Sequence, residues 1–150
     1  MSVSVIDLKV ITFLRKSFLP VARVAIFIIY FWFGFLKLFD LSPAGPLAAA
    51  LTAKTVGLEH FNVLFRSLGL YECLVGILFL IPRATRIVIP LLFLHLIIVC
   101  SPLILLSGMV WIKPFVPTLE GQYIIKNVVV IALAIGIAAQ TVPLKRAKSR

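Results

Sequence analysis

The chain has 150 residues, 62% of them hydrophobic, with a mean hydropathy of +1.16 and a net charge of +10. One small soluble core cannot cover that much apolar surface, so the composition excludes a water-soluble domain and makes lipid the solvent. The basic residues flank hydrophobic runs instead of alternating with aromatics on a polar face, which makes them topology signals and excludes a nucleic-acid partner.

At about 20 apolar residues per crossing, 150 residues with short connections hold about four spans in one domain, residues 1–150. The first 23 residues carry Lys9, Arg15, Lys16 and Arg23 among Val5, Ile6, Leu8, Ile11, Phe13 and Leu14, and read as a short helix lying on the membrane surface. The first span, 24–41, is too long for the apolar segment of a cleaved leader. Residues 42–66, with Pro43, Gly45 and Pro46, are too polar to span and too apolar to float free, so an amphipathic hairpin resting on the outer face is expected there. The second span, 67–82, is short and is joined to the third, 87–108, by a tight turn with Arg83 and Arg86, making the two antiparallel neighbours. Pro90 and Pro102 each remove a backbone donor and are expected to bend the third span. A linker with Trp111, Lys113, Pro114, Pro117 and Glu120 leads to the fourth span, 121–142, which stops at Pro143 before a basic tail.

The N-terminal arm, the turn between the second and third spans and the tail together hold ten basic residues; the opposite side holds three, Lys54, Arg66 and Lys113. Both termini are therefore expected in the cytoplasm, on a multi-pass inner-membrane protein. Cys73 and Cys100 lie in apolar runs without CxxC spacing and read as inert buried thiols.

Ionisable groups in hydrocarbon are expensive, so those found there face the bundle interior and pair or line a site. Four occur here, one per span: Lys37, Glu72, His95 and Lys126. At about 1.5 Å per residue, Lys37 stands about 21 Å from Arg23, Glu72 about 16 Å from Arg83 and His95 about 13 Å from Arg86, with Lys126 about 28 Å from Lys145 and nearer the outer surface. Glu72 and His95 share the middle, and the two lysine stems can bend toward them. One reading is an outward-opening polar pocket in which Glu72 pairs with Lys37 or Lys126, the surplus positive charge holds an anion or polarises a carbonyl, and Asn127, one turn beyond Tyr123, adds a hydrogen-bonding group. The other is a packing ion pair that fixes helix register, the second lysine reaching the headgroups. His95 has no second ligand three or four residues away and His60 with Glu59 has no cluster around it, so no metal site is expected. Tyr30, Tyr71 and Trp32 read as lipid-facing or core filler.

FWFGFLKLFD in the first span, YECLVGILFLIPRATRI across the second and its turn, and YIIKNVVVIALAIGIAA in the fourth together resemble the DoxX-like family of small bacterial four-helix membrane proteins over residues 22–140. Gly34, Lys37, Glu72, Gly76, Thr85, Arg86 and Lys126 fall on that family's G-x-x-K, E-x-x-x-G, T-R and fourth-helix lysine positions. FVPTLEGQYIIKN is similar to the outer loop of the DUF417 branch, whose resemblance implies a link to oxidative and chlorine stress. The family resemblance implies a membrane subunit of a quinone-linked redox system, and the same four-helix pocket. The expectation is thus an all-α integral membrane four-helix bundle that binds a quinone or similar hydrophobic ligand through Lys37, Glu72, His95, Lys126 and Asn127. No haem, flavin or iron–sulfur motif is present, so electrons would need a soluble or membrane partner. The alternatives are a binder or transporter of a small anion or lipid, and a structural assembly protein whose outer hairpin does the recognising; an oligomer is compatible with each.

Overall fold

The computed structural model describes residues 3–141, which are mostly helical. Four helices are long and apolar enough to cross a membrane: Ser4–Leu38, Leu58–Phe79, Pro82–Leu105 and Leu119–Ala139. The expected end of the fourth span at Val142 and Pro143, and the basic tail, lie outside the described residues.

Helix α1, Val3–Leu38, is a single 36-residue helix that continues through Pro20. The expected separate surface helix is therefore the first turns of the first spanning helix, because no glycine or turn residue interrupts the run and Pro20 costs only the one bond its missing N–H would make. At about 1.5 Å per residue α1 is about 54 Å long, well beyond the roughly 30 Å of hydrocarbon. It ends at Leu38, short of the expected residue 41, where Asp40 takes a left-handed φ of 57°. There Leu41 N–H donates to the Leu36 carbonyl (2.9 Å) and Asp40 N–H to that of Lys37 (3.5 Å), the paired bonds of a Schellman cap.

The expected outer hairpin over 42–66 is instead one helix, α2, Gly45–Thr55, started by Pro46 and followed by a single 3-10 turn, Leu58–His60. Gly57 at φ 101° makes the bend between them, a conformation only glycine adopts without strain. Helix α3 begins six residues earlier than expected, at Phe61, and ends at Phe79. Hydropathy marks where a helix enters hydrocarbon, whereas its hydrogen bonds continue into the interface; residues 61–66 are helical but mixed in polarity.

A 3-10 turn, Pro82–Ala84, leads into α4, Thr85–Cys100, which tolerates Pro90 in its interior; at Pro102 a new segment starts, α5, Pro102–Leu105, followed by α6, Ser107–Val110. The linker forms a small antiparallel hairpin, β1, Trp111–Lys113, with β2, Val116–Pro117, in register Trp111 opposite Pro117. Thr118 caps the next helix by accepting from Gly121 N–H (3.2 Å). α7, Leu119–Ile125, and α8, Asn127–Ala139, meet at Lys126, which keeps helical angles, so they form one rod.

The rods alternate in direction. Gly34 lies against Gly69 and Cys73, Gly76 against Phe27 and Phe31, and Gly136 against Phe18. The core is a set of helix-spaced stripes: Ala22, Ile26 and Tyr30 of α1, Val75 and Phe79 of α3, Val88, Leu92 and Leu96 of α4, and Val130, Ala134 and Ile137 of α8. Large apolar side chains elsewhere on the rods face outward along their length, which suits hydrocarbon and not water.

Candidate functional site

The position of the site is set by how closely α1 and α3 approach. A Cβ added at Gly34 would stand 2.6 Å from the Gly69 carbonyl oxygen, one at Gly69 would stand 2.7 Å from that of Gly34, and one at Gly76 would stand 2.9 Å from the Phe31 nitrogen. Such small-residue contacts let two helices in lipid meet backbone to backbone, where no hydrophobic drive would bring them together. Cys73, between these glycines, points its thiol at the Phe31 carbonyl (3.5 Å).

Directly beside this contact, Lys37 Nζ donates to Glu72 Oε2 at 2.6 Å and to its own helix at the Phe33 carbonyl (3.4 Å). Helical side chains lean toward the N-terminus of their helix. On antiparallel rods this turns the Lys37 ammonium down α1 and the Glu72 carboxylate up α3, so the two meet between the backbones. The second oxygen, Oε1, is 2.8 Å from His95 Nε2 on α4, and His95 Nδ1 is 3.2 Å from the Tyr30 hydroxyl on α1. Tyr71 stacks on the His95 ring at 6.1 Å and donates its hydroxyl to the Leu91 carbonyl (2.8 Å), fixing the imidazole plane.

Lys37, Glu72, His95 and Tyr30 are all buried, at 4–7% exposure. With a neutral imidazole the protons fall into a simple order. The carboxylate is an acceptor only and already neutralises the ammonium, so the imidazole meets it with Nε2–H, leaving Nδ1 to accept from the tyrosine. In that tautomer the row runs Tyr30 O–H to His95, His95 N–H to Glu72, with Lys37 donating from the other side. Among the described residues no buried side-chain nitrogen or oxygen lacks a partner.

Of the five residues expected in the pocket, three come together here: Lys37, Glu72 and His95. Lys126 and Asn127 do not. Lys126 is exposed on the outside of the bundle, with Nζ 5.2 Å from the centre of the exposed Tyr123 ring, a contact an ammonium makes with an aromatic face while its stem reaches for the headgroups. Asn127 donates to the Ile124 carbonyl of its own helix (3.0 Å). The fourth rod thus supplies apolar packing and no ionisable member. Tyr30, expected as filler, is the residue that sequence reasoning missed. Its signal was present, because Tyr30, Gly34 and Lys37 are spaced i, i+4, i+7 and share one face.

Two further polar contacts close the ends of the bundle. Arg23 donates to the Phe79 carbonyl at the end of α3 (2.9 Å) and to Thr85 Oγ1 at the start of α4 (2.7 Å), and Thr85 in turn donates to the Pro82 carbonyl (2.7 Å). At the opposite end Arg66 pairs with Asp40 at 2.6 Å in an exposed position. Beside that pair a cleft of about 300 Å³ opens between α2 and α3, lined by Asp40, Ser42, Gly45, Pro46, Ala49, Phe61 and Phe65. Its lining ends at Phe65, seven residues or about 10 Å along α3 from Glu72. The described residues contain no group of three or more His, Cys, Asp or Glu side chains able to hold a metal ion.

No protein-family model, curated protein or solved structure matches the chain.

Proposed function

We propose that this is a multi-pass membrane protein with both ends in the cytoplasm, a DoxX-like membrane subunit of a redox system that binds a quinone-type ligand against Lys37, Glu72, His95 and Tyr30. The observation that carries the reading is the row itself: four proton-bearing side chains, buried in an apolar bundle and hydrogen-bonded in sequence. An ion pair that served packing alone would need neither the histidine nor the tyrosine. Reduction of a quinone to a quinol takes two electrons and two protons; the electrons come from a partner, and the row supplies or collects protons. Lys37 donates a hydrogen bond to a ring carbonyl, and Glu72 and His95 pass protons toward Tyr30, about 10 Å deeper along α1. The cleft lined by Phe61 and Phe65 gives a ligand apolar surface at the same end of the bundle as Lys37.

A second reading, in which the cluster fixes helix register, draws on the complete pairing of the buried polar atoms. Mass spectrometry of the protein extracted in mild detergent separates the two. A quinone is expected to accompany the wild type and to be absent from Glu72→Gln, with both proteins accumulating as folded membrane species. Failure of Glu72→Gln to accumulate, with no molecule bound to the wild type, leaves the register reading standing.

A further inference from the structure

Helix α1 is longer than the bundle needs. Contact with the other rods begins at Ser17, Phe18 and Leu19, where Ser17 and Leu19 are half-buried and Phe18 lies against Gly136. Every residue from Ser4 to Lys16 is exposed. At about 1.5 Å per residue this arm extends about 20 Å past the bundle.

The arm is not built for water. Ile6, Val10, Phe13 and Leu14, spaced i, i+4, i+7, i+8, form one stripe and are 49%, 50%, 68% and 58% exposed. Lys9 and Lys16 lie seven residues apart, two turns, along one edge of the stripe with Thr12 between them, and Arg15 lies on the far side. Asp7 is the arm's one acid, so it carries a net charge of +2 from Lys9, Arg15 and Lys16 against Asp7. Arg83, in the turn between α3 and α4, adds an exposed positive charge at the same end of the bundle. Pro20 has no N–H to offer the Lys16 carbonyl, so the helix is weakest where the arm leaves the bundle, and that is where it can tip toward the membrane plane.

We propose that residues 4–16 are an anionic-lipid-binding arm, with the Ile6, Val10, Phe13 and Leu14 stripe sunk among the acyl chains, Lys9 and Lys16 on phosphate headgroups at its edge, and Arg15 adding its charge to the same attraction from the outer face. Charge selects this occupant. A second copy of the arm would set Lys9 and Lys16 against their own kind, whereas an anionic leaflet neutralises them and lets the lysine stems lie along the apolar boundary. The inference does not rest on the quinone reading; it concerns the opposite end of α1.

Hydroxyl-radical footprinting of the full-length protein in nanodiscs tests it without labels. Oxidation of Phe13 and Leu14 is expected to be severalfold lower in discs of phosphatidylcholine mixed with phosphatidylglycerol than in phosphatidylcholine alone. The variant Lys9→Gln/Arg15→Gln/Lys16→Gln is expected to lose that difference, since each basic charge near an anionic surface shifts the equilibrium about fivefold. High salt is expected to act in the same direction. The three substituted side chains are all exposed, so the variant is expected to keep the wild-type melting curve. Equal oxidation in both lipids overturns the proposal, whether high, with the arm in water, or low, with the stripe covered by a protein surface or by lipid without regard to charge.

Discussion

Lys37 stands on the last turn of α1, where a lysine usually reaches outward to headgroups, yet its ammonium turns back to Glu72 at 2.6 Å. Removing one partner leaves the other as an uncompensated buried charge. Lys37→Met is therefore expected to lower stability by about 3–5 kcal/mol, and Lys37→Met/Glu72→Leu to regain most of it, measured by unfolding in mixed micelles. A double variant no better than the single one would show that the cluster does more than cancel charge. Tyr30→Phe removes the donor to His95 Nδ1 and is expected to cost about 1–3 kcal/mol, with a shift of the imidazole 15N resonances reporting the lost bond. Lys37, Glu72 and His95 were legible in the sequence, because an ionisable residue in an apolar run declares its depth through the helical rise. Its direction around the axis is declared only by a polar–apolar stripe. The fourth rod is apolar nearly all round, so nothing in NVVVIALAIGIAA said that Lys126 faces outward.

The α1–α3 contact depends on hydrogen atoms where other residues carry Cβ. Gly34→Leu or Gly69→Leu drives a side chain into the facing backbone at a point already 2.6–2.7 Å from it. Each is expected to part the two helices and abolish accumulation of folded protein. Gly108→Ala and Gly45→Ala meet nothing within 4 Å and are expected to leave expression and melting unchanged; parallel detergent-extraction assays compare all four. The existence and order of the spanning helices followed from hydropathy, but their ends did not. The first turns of α3 are mixed in polarity, and α1 runs on past the hydrocarbon, so in both cases hydrogen bonding outlasts the apolar signal. The β1–β2 hairpin had only Pro114 and Pro117 to announce it, and Phe115 at its tip holds a φ of 63° that no glycine flags.

Seen whole, the bundle has unlike ends. One carries the Arg23 contacts to Phe79 and Thr85 and the exposed arm; the other carries α2, the hairpin and the Arg66–Asp40 pair. The excess of basic residues lies at the first end, which the orientation proposed above puts in the cytoplasm. With a membrane-impermeant thiol reagent on intact cells, Ser42→Cys and Phe115→Cys are expected to react, and Arg83→Cys only after permeabilisation. The reverse pattern would invert the topology and move the cleft to the cytoplasmic face.

The placement of Lys37 and Glu72 on successive rods also bears on how the chain is made. A span bearing a carboxylate meets a cost of about 2.5–3.5 kcal/mol on entering lipid alone. During synthesis α1 precedes α3, so the counterion is made before the carboxylate, and a pair that closed across the glycine faces as α3 entered lipid would lower that cost. The order of the rods along the chain would then matter to insertion as well as to packing. A circular permutant that presents α3 first would preserve every contact of the finished bundle and still strand its carboxylate at the threshold.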